Sequence, residues 1–315
     1  MSITPATDPV HVECRAPAIE IMLAARPRAI DSFTVGRVLP AAKRRLVGPF
    51  CFLDHLGPAE LAPGQAMDVR PHPHINLATV SYVLEGEILH RDSLGSYQPI
   101  RPGAINWMSA GRGIVHSERT PAELRKGGAR MHMLQLWVAL PLEHEESEPT
   151  FQHHPADTLP ELMLGEVKIR VLAGSAFGKT SPVETLSPLF FAEIQLPAGA
   201  SIDVPSEHHD RAAYVISGSL GCSGEQIPAL SMAVFAPKSH VSLRAEIDTR
   251  LVVLGGAPLD GPRYMEWNFV SSRKERIEQA KVDWRKLTDA TPALRGSASP
   301  FSLVPGDEQE FIPLP

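Results

Sequence analysis

Cysteine is scarce: the 315 residues hold three, Cys14, Cys51 and Cys222, odd in number and far apart. No disulfide framework and no CxxC metal pattern can be drawn from them. A reducing compartment is therefore expected, with each thiol a small buried side chain. No run of about 18 apolar residues occurs, which excludes an ordinary helical membrane span. The opening MSITPATDPVHVE has no basic start followed by an apolar core, so no secretory signal is expected. Blocks of Lys and Arg are missing too. Net charge is −6, and the short run Arg273-Lys274-Glu275-Arg276 is diluted by acid, as on the solvated face of a helix. Direct nucleic-acid binding and membrane association are not expected, and the expected location is the cytoplasm.

Turn formers, by contrast, are plentiful. Thirty prolines and 23 glycines interrupt short apolar runs about every 8–12 residues, the rhythm of all-β sandwiches and barrels. Candidate strands include Ile105–Met108, Met131–Leu140, Val167–Leu172, Phe190–Gln195 and Arg250–Leu254. Met131–Leu140 is apolar on nearly both faces and reads as a strand buried between two layers. The length accommodates two domains, and a weak repeat supports two copies of one unit. Tyr82-Val-Leu-Glu-Gly-Glu87 is echoed by Tyr214-Val-Ile-Ser-Gly-Ser219. Each copy is followed by a late strand and then a lone histidine, His116 or His240. The acidic, proline-containing stretch Glu143–Pro160 falls between them. We expect a first domain over 1–142, a linker over 143–165, a second domain over 166–262, and a helix with an extended tail over 263–315. Ser272-Arg-Lys-Glu275 fits a capping box, followed by Ile277, Ala280 and Trp284 at helical spacing. The tail carries Phe301, Phe311 and Ile312, and aromatic groups have no use in a solvated segment, so docking onto the first domain is expected.

Two short pairs carry the chemistry: His72-Pro73-His74 and His116-Ser117-Glu118. On a strand, residues at i and i+2 point to one face, about 6–7 Å apart. Facing pairs would set three imidazoles and a carboxylate around one point, a shell for a divalent transition metal with positions left open. With 13 His in the chain, chance alone supplies about half of one HxH, and His153-His154 reads as a purposeless surface pair. Context separates the two cases. Leu77–Leu84 after the first pair is rich in β-branched and aromatic residues, and the turn signal Gly111-Arg-Gly113 precedes the second. In the second half Glu207, His208, His209 and His240 do not make a complete shell. His208 and His209 are adjacent and point to opposite faces of a strand, and Ser242 stands where an acid would follow His240.

Pro71-His-Pro-His74, Ala78-Thr-Val-Ser-Tyr-Val-Leu-Glu-Gly86, His90-Arg-Asp-Ser-Leu-Gly95, Trp107-Met-Ser-Ala-Gly-Arg-Gly-Ile-Val-His-Ser-Glu118 and Leu134-Gln-Leu-Trp-Val138 resemble the pirin family of bicupins, as does Gly48-Pro-Phe-Cys-Phe-Leu-Asp-His55. The resemblance is dense from about residue 45 to 141. It is looser in the second half, where Glu207–Val215 is similar to the family's second cupin, and it does not cover the tail after about residue 287. It implies two tandem cupin domains, all-β, and a single metal, usually iron, held in the first by His72, His74, His116 and Glu118. Most cupins take their glutamate four residues after HxH; here that residue is Ala78, which cannot ligate. Fe(II) is what the family implies, while Mn, Co, Ni, Cu and Zn suit the same donors. Asn76 departs from the family's usual glycine and is expected to alter the pocket rim. Gln135 and Trp137 share a strand face with Met131 and Met133 and either line the pocket or pack the core. His55 and His90 are either donors that orient the ligands or structural histidines.

Three functions follow from the resemblance. The first is a dioxygenase similar to quercetin 2,3-dioxygenase, with a flavonol or other small phenolic substrate, dioxygen, and Glu118 as base for the substrate hydroxyl. The second is a non-enzymatic regulator whose metal oxidation state tunes binding to a protein partner. The third is a purely structural metal, which the open coordination positions disfavour. A monomer is expected.

Overall fold

The computed structural model describes residues 18–30, 33–290 and 299–315; Cys14 lies outside the described residues. The first half forms a seven-stranded sheet in the spatial order Thr150–His154, Ile105–Ser109, Leu77–Glu85, Ala129–Ala139, Phe50–Leu61, Phe33–Leu39, Arg26–Ile30. A four-stranded sheet accompanies it, in the order Val69–His74, Ile114–Arg119, Ile88–Asp92, Tyr97–Ile100. The second half repeats the plan. Its large sheet is built on Ser231–Phe235, Asp210–Ser217, Thr249–Gly256, Leu189–Leu196 and Val167–Ala176. Its small sheet comprises Ser201–Asp203, Ser242–Ala245, Ser219–Cys222 and Glu225–Pro228. All pairings between these strands are antiparallel, so the two sandwiches are the all-β architecture that the turn rhythm implied, in the two units that the internal repeat implied. Sheet membership crosses the middle of the chain: Thr150–His154 edges the first large sheet, whereas Ile19–Ala24 pairs with Ser231–Phe235 of the second.

The strand Ala129–Ala139 shows how the layers are joined. Met131, Met133, Gln135 and Trp137 face a cavity inside the first sandwich. The alternate residues Leu134, Leu136 and Val138 join Tyr82 and Trp107 in one core with Leu172, Phe191, Tyr214 and Leu254 of the second unit. Burying each large apolar side chain contributes roughly 1.5–3 kcal/mol, so this shared core binds the halves into one body. Polar groups within it are paired. The Tyr82 hydroxyl donates to Glu193, and Arg250 Nε donates to the same carboxylate at 2.5 Å. His55 lies between the Tyr214 hydroxyl, 2.7 Å from Nδ1, and His132 Nε2, 2.6 Å from its own Nε2.

The second sandwich is filled. Ile169, Ile194, Val215, Leu220, Leu243 and Val253 occupy its interior. Its histidines lie apart: His208 stacks on Phe190, His209 pairs with Asp210, and exposed His240 lies beside Asp203.

The C-terminal helix spans Lys274–Asp289 and buries Ile277, Ala280, Trp284 and Leu287 against Ile75, Val115 and Phe269. The capping box is not formed. Arg273 is the N-cap, with no side-chain cap bond. Ser272 instead donates its N–H and hydroxyl to the buried Glu145 carboxylate at 2.8 and 2.7 Å. A tertiary acid has outcompeted the local one. Residues 299–315 dock as expected: Phe301 and Val304 are buried in the same cluster as the helix.

Candidate metal centre

Val69–His74 is an edge strand, a setting that tolerates Pro71 and Pro73 because no ladder bond is needed on the open side. Its antiparallel neighbour Ile114–Arg119 sets His116 directly opposite His72, with Ile114 opposite His74. The two-residue period turns His72, His74 and His116 to one face, and their rings gather at centroid separations of 4.9, 4.4 and 5.0 Å. One nitrogen from each lies within 4.8 Å of the others.

Backbone geometry holds this register. Asn76, the departure from glycine, adopts φ 57°, a left-handed conformation that Asn tolerates better than most residues. Its N–H donates to the Gly111 carbonyl at 2.8 Å, and its amide group donates to Glu145 O. Gly111 itself has φ 48°, and a Cβ there would come within 2.0 Å of Ser147 O. Asn76 thus braces the turn that delivers His116. It does not line the cavity, so the expected change at the pocket rim is not found.

Hydrogen bonding assigns the protons. The Nδ1 of His72 lies 2.8 Å from Arg70 O, and that of His74 lies 2.9 Å from Asn268 O. A carbonyl only accepts, so both Nδ1 atoms carry the hydrogen and both Nε2 lone pairs are free. His116 has both ring nitrogens buried without a hydrogen-bond partner. Such orphaned groups cost about 1–3 kcal/mol each. Burial pushes the His72 pKa down to about 4 and those of His74 and His116 well below the ordinary value. All three are neutral at neutral pH, as metal ligation requires. The donor set therefore fits a divalent transition metal.

Glu118 lines the same cavity, but its carboxylate is not among the atoms within 4.8 Å of one another. Its Oε1 accepts from Ser81 Oγ at 3.0 Å, and burial raises its pKa. Ser81 Oγ is also 2.9 Å from the side-chain oxygen position of Gln135. A hydroxyl has one proton, so a Gln135 amide turned to present its N–H satisfies both contacts.

Around these residues lies a cavity of about 470 Å³. Trp137 meets His74 edge-on at 5.1 Å and stacks on Phe52 at 4.1 Å. Gln135 and Trp137 both line the cavity. His90 lies behind the site, its ring 5.4 Å from that of His116 and its Nε2 3.0 Å from Asp92. His55 belongs to the interface between the two units and touches no ligand.

Sequence reasoning passes over Ser81, Asp54 and Arg37. Arg37 Nε and Nη2 donate to the two Asp54 oxygens, both at 2.8 Å, and both residues line the cavity. Burial raises the Asp54 carboxyl pKa even against the guanidinium. A lone acid inside the apolar run Phe50-Cys-Phe-Leu-Asp-His-Leu56 is the available signal, because buried carboxylates are rare without a partner.

Comparison with known proteins agrees with this architecture. Residues 32–138 match the family model of pirin, and residues 191–289 match that of the pirin C-terminal cupin domain. A pirin-like protein of Caulobacter vibrioides is 48% identical over 94% of this chain and 99% of its own length. A Pseudomonas aeruginosa protein that carries the provisional name quercetin 2,3-dioxygenase is 38% identical, over 85% of this chain and 86% of its own. The crystal structure of quercetin 2,3-dioxygenase from Acinetobacter baumannii superposes with a TM-score of 0.84 at 30% identity, covering 94% of each chain. With two cupin units, both family models matched and relatives similar along nearly its whole length, this chain belongs to the pirin family.

Proposed function

We propose that this protein is a metal-dependent dioxygenase acting on flavonols of the quercetin type or on a related small phenol. The observation that carries the reading is His116: a buried imidazole with both nitrogens unpartnered, gathered with two neutral histidines at the wall of a largely apolar cavity. That cavity falls in the range of small-molecule sites, roughly 300–1,000 Å³.

His72, His74 and His116 would hold the ion, with Glu118 as a fourth donor when it turns from Ser81. A divalent ion so held, Fe(II) by family resemblance, supplies Lewis acidity toward a substrate hydroxyl and a redox path to dioxygen. The chain does the remainder. Trp137, Phe52, Met131 and Met133 exclude water and offer flat apolar surface to an aromatic ring. In this reading Glu118 takes the proton of the substrate hydroxyl; Ser81, itself in contact with Gln135, donates to its Oε1 and orients the carboxylate.

The test is anaerobic loading with Fe(II), addition of quercetin, then admission of oxygen. Loss of the flavonol absorption band with release of one carbon monoxide per flavonol is the expected result. No turnover with Fe(II), Mn, Co, Ni, Cu or Zn overturns the reading.

A further inference from the structure

Ser81, Gln135, Asp54 and Arg37 form a single row across four adjacent strands. Gln135 is the register partner of both Ser81 and Asp54, and Asp54 is the partner of Arg37. Direct partners share a face of the sheet, and Gln135, Asp54 and Arg37 all line the cavity. Strands are spaced about 4.8 Å apart, so the row carries polar groups roughly 14 Å from Ser81, beside Glu118, to Arg37 at the far end.

Arg37 is held with unusual rigidity for a guanidinium in an apolar wall. Two of its nitrogens are fixed by the two Asp54 oxygens, and its charged head lies 4.5 Å over the Phe52 ring. Asp54 is 2% exposed. This fork leaves Nη1 without a hydrogen-bond partner among the described residues, on a side chain that lines the cavity and keeps 27% of its surface exposed. An ion pair with one buried partner is weak evidence for stability, since apolar residues of like volume commonly do as well. Its placement in a substrate-sized cavity calls for another role.

We infer that Arg37 is a specificity-determining residue: its free N–H groups bind an acceptor oxygen on the end of an aromatic substrate remote from the metal-binding hydroxyl. The pair with Asp54 is neutral overall, so a phenolic or carbonyl oxygen suffices and a full negative charge is not required. The inference rests on the proposed metal centre as the place where substrate binds. It narrows the substrate class to elongated, multi-ring aromatics oxygenated at both ends.

Two probes separate the possibilities: quercetin, and 3-hydroxyflavone, which keeps the 3-hydroxyl and 4-carbonyl but has no oxygen on its outer rings. Binding to the full-length, Fe(II)-loaded protein is followed anaerobically by tryptophan fluorescence. Arg37→Met alone strands the Asp54 carboxylate, so the key variant is Arg37→Met with Asp54→Leu. The expected result is a loss of about 10–100-fold for quercetin, the size of a hydrogen bond to a charged donor, with 3-hydroxyflavone unchanged. Equal quercetin binding by both proteins, or an equal loss for both flavonols, overturns the inference. So does a wild type that binds neither. A loss confined to quercetin, with no oxygen-dependent turnover by the wild type, sinks the dioxygenase reading and leaves the role of Arg37 standing.

Discussion

The backbone N–H of Ile312 donates to the carbonyl of Pro71 at 2.9 Å, one residue before His72. Trp284 Nε1 in turn donates to Ile312 O at 3.0 Å, and the Ile312 side chain forms part of the cavity wall. Arg119, one residue after Glu118, donates to both Asp307 oxygens at 2.9 and 2.7 Å and to Glu310 at 2.8 Å. The tail therefore grips both strands immediately beside the candidate ligands His72 and Glu118.

Phe301→Ala should expose this arrangement. Phe301 is 4% exposed and lies between Phe269 and Trp284. The substitution is expected to cost about 3–5 kcal/mol through lost burial and the cavity left behind. Thermal unfolding reads the stability, and elemental analysis after dialysis reads whether the loosened strands also shed metal. A melting temperature within a degree of wild type would show that the tail contributes nothing.

His116→Ala should separate metal from fold. The variant is expected to bind a divalent ion at least about 100-fold more weakly, with the far-ultraviolet circular dichroism spectrum unchanged. The metal-free variant should lose little stability, because two orphaned nitrogens disappear with the ring. His74→Ala tests the same point from the other strand. Undiminished metal content in both variants would place the ion elsewhere.

Ser81→Ala removes the hydroxyl that positions Glu118 and leaves Gln135 without its partner. Partners of this kind typically contribute 10–100-fold to metal affinity or activity, so a loss of about that size is expected in a chelator competition. Ser81→Thr keeps the hydroxyl and should recover most of it. If alanine and threonine behave alike, the hydroxyl has no part in the site.

His55 sets an acid limit on the interface between the two units. In the unfolded chain it titrates near 6.5; in the fold, burial and the neighbouring His132 hold it down to about 3. Between these values the unfolded chain takes up a proton that the folded one refuses, so stability falls as pH drops from about 6.5 toward 3. The slope for one such group is about 1.4 kcal/mol per pH unit, or roughly 3 kcal/mol by pH 4. Urea titrations of His55→Gln, which hydrogen-bonds without titrating, should show a shallower decline than wild type. Parallel curves would assign the acid sensitivity to other groups.

The parts of this protein that depend on neighbours along the chain are legible in its sequence. Strand positions, the doubling of the unit and the same-face placement of His72 with His74 all follow from a backbone whose side chains alternate every two residues. The φ of 57° at Asn76 is of the same kind, a local conformation that a short polar side chain permits. What depends on register between distant strands is not legible there. Ser272 has an acid three residues on but meets Glu145, which is 127 residues away. His55 reads as a possible neighbour of the metal and lies instead on the opposite face of its strand, against the second unit. Arg37, Asp54, Gln135 and Ser81 become one row only because four strands pair in a particular register. A one-residue slip in any pairing would send part of that row to the other face. Local pattern singles out the candidate metal ligands; strand pairing alone decides what stands opposite them in the cavity.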